Sequence, residues 1–425
     1  MATLERITHI PQNVSVADGS VAYLKSKQPT IQHLPQIFWS NAFPWREANL
    51  WAMERATSKD VLLRTVSSNM KCLLHYANFL EMAELEWFTF PLRKADRCLI
   101  QYRGFLIRER DAGKLMPSTV SEYMRSAISF YRWALSHGLL DVTTPLWRDK
   151  AVYVRFFDSV GFERTILRLT TDLSIPNKTH LGLRLEDGLL PVSAADREAL
   201  LELAKTSSSQ ELYRMLALGF FTGMRLGSIC DLKIQTLENA VEDPVAKGLF
   251  CINIGPGASP PVRTKFGVTG RVWIPKPLLD DLLEYANSLR RSKRQARATS
   301  ENKYLVFLTR YGNPYCANDS EQSTSVNTEM VTFRRKGMQA GIKVASSFHF
   351  HQSRCTFATE LATIALSTTD PINAIALVRD ALLHKDEATS LKYIKFVTQT
   401  PAKQAAANEF TRAFMGINNA DKFQP

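Results

Sequence analysis

In the second half of the chain, a set of cationic and proton-transfer side chains is followed by one tyrosine. Arg225 stands in FFTGMRLGSICDLK, after a Thr-Gly step and between two apolar stretches of helical character. His351 and Arg354 lie three apart in FHFHQSRCTFATELA. On a helix that spacing puts both on one face, where they can address a single target. His384 precedes Tyr393 in LLHKDEATSLKYIKF, and Asp386 to Thr389 between them form a helix start that places the tyrosine on the next helix. Guanidiniums are permanently charged, forked donors suited to anionic oxygens. A phenol, with a pKa of about 10, acts as a nucleophile only with proton transfer or positive charge nearby. Taken singly, each element is ordinarily structural: an Arg caps or pairs, and a Tyr on an amphipathic helix sits at the core boundary. Other chemistries lack their signatures. The sequence has no GxxxxGK[ST] loop, no GxGxxG after a strand, no HExxH and no GxSxG.

In this order and spacing, Arg225, His351xxArg354, His384 and Tyr393 resemble the catalytic set of the tyrosine recombinases, the phage-type site-specific integrases. The words TGMR, RCTFATEL and LLHKDEATSLKYIKF carry the same resemblance, over residues of about 186–397. The resemblance implies attack of Tyr393 on a DNA phosphodiester. Arg225 and Arg354 would clamp the non-bridging oxygens, where one preorganised donor is worth on the order of 3–4 kcal/mol. His351 would assist the phenol as base, and His384 would donate to the phosphate. The family also uses a lysine on a β-hairpin as general acid to the leaving 5′-oxygen. Lys265 in VRTKFGVTGRVWIP is the first choice, with Arg263 and Lys276 as weaker alternatives. The product would be a 3′-phosphotyrosine link and a free 5′-hydroxyl, formed without a metal or other cofactor. One position departs from the family pattern. An acidic residue commonly stands three positions after the first arginine, where this chain has Ser228, and Asp231 lies six positions on.

The elements that must position these groups read as mainly α with a small antiparallel β-sheet (α+β). Leu62, Val66, Met70, Leu73, Ala77 and Leu80 form one apolar stripe at helical spacing, and Val120, Tyr123, Ala127, Phe130 and Ala134 form a second. Residues 45–140 thus read as an all-helical unit, placed where the family keeps its core-binding domain. Residues 1–44 receive no structure, and 141–188 read as a linker or insertion. Residues 189–400 form the catalytic domain, opened by Ser193 and Asp196 as a helix start. Within it GLFCINI (248–254), VRTKFGV and RVWIP read as short strands, the last two meeting at Thr269-Gly270. Helices follow near 275–294, at 322–341, at 350–366 and at 371–397. The tail 401–425 is helical in pattern and either docks into a neighbouring protomer or packs on its own domain.

The chain has 425 residues, 45% hydrophobic and 22% charged, a soluble globular composition, with no apolar run long enough to span a bilayer. Lys and Arg number 53 against 41 acidic residues, a net +12 that points to a polyanionic partner. Lys71, Lys94, Arg97, Arg103, Arg108, Arg110, Arg125 and Arg132 either contact DNA phosphates or form a solvated face. Arg290, Arg291, Lys293 and Arg294 either contact DNA or complement a helix C-terminus. The six cysteines show no CxxC pair or zinc spacing and read as reduced thiols. MATLERITHI shows no secretory signal, so the cytoplasm is expected, with nucleoid association on DNA. The expected partners are double-stranded recombination sites and, on DNA, three further copies in a homo-tetramer around a Holliday junction. Accessory bending or directionality proteins would be additional. Two rival readings are a type IB topoisomerase-like relaxase and a catalytically weakened DNA-binding accessory protein.

Overall fold

The computed structural model describes residues 1–17, 20–58, 61–140, 145–157, 163–177, 185–316 and 323–399. The chain divides into two compact units, Met1–His180 and Leu181–Pro425.

The first unit begins with four strands, β1 (Thr3–His9), β2 (Gln12–Ala17), β3 (Ser20–Lys25) and β4 (Ile31–Phe38), paired antiparallel as β1 with β4 and β2 with β3. Ala2 and Ile37 of this segment enter the core of the helices that follow, so residues 1–44 are part of the unit rather than an appendage. Those helices are α1 (Arg46–Thr57), α2 (Leu63–Met82), α3 (Cys98–Asp111) and α4 (Pro117–Ser136). Both apolar stripes face inward. Val66, Met70, Leu73, Ala77 and Leu80 are buried on α2, and Val120, Ala127, Phe130 and Ala134 on α4, while Leu62 is left exposed at the N-cap of α2. Pro117 starts α4, where its missing N–H costs no hydrogen bond. The stretch that reads as a linker carries a hairpin, β5 (Asp149–Phe157) with β6 (Glu163–Thr171), and Leu146, Leu173 and Ile175 beside it are buried in the same core.

The second unit runs α5 (Ala194–Ser207), α6 (Gln210–Thr222), α7 (Leu226–Cys230), α8 (Ile234–Glu238), β7 (Val241–Glu242), β8 (Leu249–Ile254), β9 (Gly270–Pro275), α9 (Lys276–Ala286), α10 (Leu289–Gln295), α11 (Thr324–Gln339), α12 (Phe350–Thr368) and α13 (Pro371–Leu382). A last helix, α14, covers 387–399. Ser193 caps α5 by accepting from the Asp196 N–H at 3.1 Å, as its sequence signature predicts. The predicted 371–397 helix is two helices, because Leu383 turns left-handed (φ 50°) and ends α13. The sheet also differs from expectation. β8 pairs with β9 in the register Ile252↔Val272, and β7 adds a short edge. VRTKFGV is therefore not a strand. It lies in the long β8–β9 connection, where Val262 is buried but Phe266 is exposed. Ile252, Ile254, Val272 and Ile274 alternate inward on the two strands, so they have an apolar face to bury and VRTKFGV has not.

Candidate active site

Arg225 follows the C-terminus of α6. Gly223 ends that helix in the left-handed conformation (φ 66°), and a Cβ there would meet Phe357 and Leu382 at 2.5 and 2.6 Å. Only glycine fits the turn that aims Arg225. The Gly223 carbonyl in turn accepts from Arg354 Nη1 at 2.6 Å, and the Leu382 carbonyl at the end of α13 accepts from Nη2 at 2.9 Å. A buried guanidinium is thus held between the C-terminal, partly negative ends of two helices. Burial, and after it the charge of Arg225, lowers the Arg354 pKa to about 10. It remains a cation at neutral pH. Its Nε has no hydrogen-bond partner among the described residues.

His351 and Arg354 share one face of α12, as the three-residue spacing predicts. Both converge on Glu186, which begins a short turn (Glu186–Gly188) just ahead of α5. Its Oε1 lies 2.8 Å from His384 Nε2, 3.3 Å from the Tyr393 hydroxyl and 4.0 Å from Arg354 Nε. Its Oε2 lies 3.3 Å from His351 Nε2 and 3.7 Å from Arg225 Nη2. All five residues of the sequence set therefore surround one carboxylate. Burial alone would raise the pKa of Glu186. The His351 and His384 donors and the Arg354 charge outweigh it and hold the carboxyl far below the usual range.

Tyr393, on α14, is fully buried, with its hydroxyl also 3.8 Å from Cys355 Sγ. Burial pushes its pKa well up, Cys355 and Glu186 add to the shift, and Arg354 opposes it. His384 is buried beside it, their rings stacked at 6.1 Å. Burial lowers the His384 pKa against the pull of Glu186. A neutral imidazole facing a carboxylate must carry its proton on Nε2. Nδ1 then accepts from the Ser390 hydroxyl at 2.8 Å. Sequence reasoning missed Glu186 and Ser390. The signal for Ser390 is its place three residues before Tyr393, on the same helix face.

Lys265 is not on a strand. It opens a short 3₁₀ turn (Lys265–Gly267), is exposed, and lies 5.4 Å from the Phe266 ring. Lys385, next to His384, lies 5.9 Å from the same ring. Thr264 lines a cavity of about 10 Å³ with Arg225, Ser228 and Arg354, roughly the size for one water. Lys265 is the next residue in the chain, and among the described residues no bond joins it to the cluster. Of the alternatives, Arg263 is 3.4 Å from Asp231, and Lys276 pairs with Asp280 at 2.8 Å. Among the described residues, no three His, Cys, Asp or Glu side chains could hold a metal ion.

Residues 192–398 match the phage integrase family. This part of the chain is thereby similar to the tyrosine recombinases. None of the curated proteins matches the chain. Among solved structures, the Tn1549 transposon integrase in complex with a circular intermediate DNA is 14% identical, covering 85% of this chain and 99% of that one with a TM-score of 0.51. The same integrase with transposon right end DNA matches at 14% identity over the same shares, TM-score 0.50. These likenesses support the integrase fold, mainly helical with small antiparallel sheets.

The basic residues expected to meet DNA divide into two groups. Lys71, Lys94, Arg108 and Lys293 are exposed. Arg125 and Arg132 are also exposed but pair with Glu122 and Asp149, and Arg110 pairs with Asp111. The others are bonded to groups of the protein itself, Arg290 while still partly exposed. Arg97 donates to the Pro91 and Pro145 carbonyls, and Arg103 to that of Leu173. Arg291 is 2% exposed and donates to the Lys303 and Leu305 carbonyls, while Arg290 and Arg294 grip Glu211. The expectation that Arg97, Arg291 and Arg294 face a phosphate is corrected on that ground. No helix of the described residues is long and apolar enough to cross a membrane. The 401–425 tail lies outside the described residues.

Proposed function

We propose that this chain is a site-specific recombinase that cleaves and rejoins DNA through a 3′-phosphotyrosine intermediate. One observation carries the reading: Arg225, His351, Arg354, His384 and Tyr393, drawn from three separate stretches of sequence, converge on a single anion. In the reaction, the Tyr393 oxygen attacks phosphorus and the bond to the 5′-oxygen breaks. His351 takes the phenolic proton. Lys265 gives a proton to the leaving oxygen. Arg225 and Arg354 stabilise the charge that gathers on the non-bridging oxygens, and His384 donates through Nε2. The link conserves the energy of the broken bond, so a second 5′-hydroxyl can reverse the step and join a new strand.

The exposed lysines and arginines of the first unit would bind the duplex backbone, with affinity falling steeply as salt rises. Four copies would act on two aligned sites through a Holliday junction, in the cytoplasm, with the tail as an exchanged segment.

The test is covalent capture on a nicked duplex built from inverted repeats flanking the gene. Wild-type protein is expected to form an SDS-resistant adduct, and Tyr393→Phe to bind without one. An unattached wild type on its own site would leave only an accessory DNA-binding role. Relaxation of plasmids that lack the site would favour topoisomerase action instead.

A further inference from the structure

The site is complete but not empty. Glu186 has one negative charge and two oxygens, as the non-bridging pair of a phosphodiester has. Each oxygen faces one arginine and one histidine: Oε1 faces Arg354 and His384, and Oε2 faces Arg225 and His351. The nucleophilic hydroxyl stands on the Oε1 side. The carboxylate comes from a segment just outside the 192–398 family match. Leu185 belongs to the same buried cluster as Cys355 and Tyr393, and two hydrogen bonds moor the segment to α12: Gln352 Nε2 donates to the Leu190 carbonyl at 3.1 Å, and the Val192 N–H donates to Thr356 at 3.0 Å.

The fit is loose. Among the described residues, His384 makes the shortest contact to Glu186, at 2.8 Å, and the Arg354 Nε, buried and 4.0 Å from Glu186 Oε1, is left without a hydrogen bond. A carboxylate that belonged there would satisfy that donor.

We propose that Glu186 is an internal stand-in for the scissile phosphate, a plug that holds the anion seat between Arg225 and Arg354 until a DNA strand displaces it. The inference rests on the recombinase reading for the identity of the displacing anion. Exchanging one anion for another spares the two guanidiniums an uncompensated approach in the DNA-free protein. It also lowers the apparent affinity for any other anion by the fraction of time the seat is open. A seat open about a tenth of the time weakens binding about tenfold.

The experiment is calorimetric titration of the full chain with inorganic phosphate at constant ionic strength. It compares wild type, Glu186→Gln, Glu186→Asp and Glu186→Gln/Arg225→Ala. Glu186→Gln is expected to bind one phosphate per chain at least tenfold more tightly than wild type. The Arg225→Ala change should abolish the gain, and Glu186→Asp, which keeps the charge on a shorter arm, should fall between. If Glu186→Gln does not fold, tighter binding by Glu186→Asp alone carries the proposal, and unchanged binding overturns it. Equal or weaker phosphate binding by a folded Glu186→Gln also overturns it. If that variant in addition forms the DNA adduct more slowly, Glu186 is a positioning residue that does the work of the acid missing at Ser228. The two readings fail separately. An adduct from wild type with unchanged phosphate binding sinks the plug alone. Tighter phosphate binding with no adduct from wild type sinks the recombinase reading and leaves the seat.

Discussion

Two carboxylates in the second unit, Glu211 buried and Glu186 half-buried, are surrounded by the same kinds of partner. Glu211, on α6, accepts from Tyr285 at 2.7 Å, from Arg290 at 2.8 and 3.0 Å, and pairs with Arg294 at 3.0 Å, with its side chain 0% exposed. Glu186 also has two arginines and a tyrosine hydroxyl, with two histidines added. Its arginine contacts are 3.7 and 4.0 Å, and 14% of its side chain is exposed. The first cluster is saturated. Arg290 and Arg294 reach back from α10 and tie it to α6, with Arg294 also donating to the Leu308 carbonyl. The second cluster is only partly satisfied and can be reached from outside. Residue types alone do not separate a strut from a site. The difference is whether the charges are already used up at hydrogen-bonding distance, since a fully paired buried ion has nothing left to offer a substrate.

The two tyrosines give the largest contrast. Tyr393→Phe is expected to abolish the covalent DNA adduct and leave the unfolding midpoint nearly unchanged. Tyr285→Phe is expected to leave the adduct rate within about twofold and cost about 1–3 kcal/mol, the loss of a donor to a buried charge. Adduct formation by Tyr393→Phe would break the comparison outright. The arginines follow. Arg354→Ala should slow adduct formation on the order of 10²–10³-fold. Arg294→Ala should cost about 3–5 kcal/mol in a urea titration, because Glu211 keeps a buried charge with one partner fewer. If Arg294→Ala were the variant that lost activity at unchanged stability, the roles of the two clusters would be reversed.

The sequence shows the second cluster better than the first. The order of Arg225, His351, Arg354, His384 and Tyr393 is visible because each sits in a short word with fixed local spacing, and the helical period fixes which pair shares a face. Glu186 is invisible there for a physical reason. It lies 165 positions from His351 and 198 from His384, in a stretch that reads as linker, and nothing local marks an acid that acts by tertiary approach. The run LRRSKRQARA shows the opposite failure. Its charge density suggests a DNA face, yet Arg291 and Arg294 point inward because backbone carbonyls and Glu211 need donors there. Thr269-Gly270 is a good local turn signal, and it points to the wrong strand pairing. Register is decided instead by which strands have an apolar face to bury, and that pairs β9 with β8. The β2–β3 ribbon does alternate, with Val14 and Val16 opposite Tyr23 and Val21, but that apolar face is exposed and so marks no core.

Acid separates the clusters by a smaller effect. Glu186 and Glu211 both titrate below their unfolded value in the native state. Each contributes stability that is full above the ordinary carboxylate range and is lost as pH falls through it. His384 is also depressed. Its contribution is full above the ordinary histidine range, near 6.5, and is lost as pH falls, because the unfolded chain takes up the proton first. His75 in the first unit has the same sign, lowered chiefly by burial. Stability should therefore decline in two stages, a histidine stage below about pH 6.5 and a carboxylate stage below about pH 4.5. Thermal unfolding as a function of pH checks this. His384→Asn should reduce the first stage and leave the His75 part, whereas Glu211→Gln should flatten only the second. A first stage unchanged in His384→Asn would mean that this histidine is already protonated in the native site.

The smallest effect bears on how the site is prepared before substrate arrives. Two partners select the same His384 tautomer: Glu186 accepts from Nε2, and Ser390 donates to Nδ1. If Glu186 gives way to a phosphate, only Ser390 keeps the Nε2 proton in place during the exchange. Ser390→Ala should therefore leave the tautomer nearly unchanged while Glu186 is present and mix it when Glu186→Gln is added, as read from imidazole ¹⁵N shifts. The cost to stability should be about 1 kcal/mol, one neutral hydrogen bond, and the adduct rate should fall by only a fewfold. Ser390→Thr, which keeps the hydroxyl, should restore the rate. A single tautomer in the double variant would show that the backbone around His384 fixes the proton, and that the hydroxyl three residues before Tyr393 is there only to fill space.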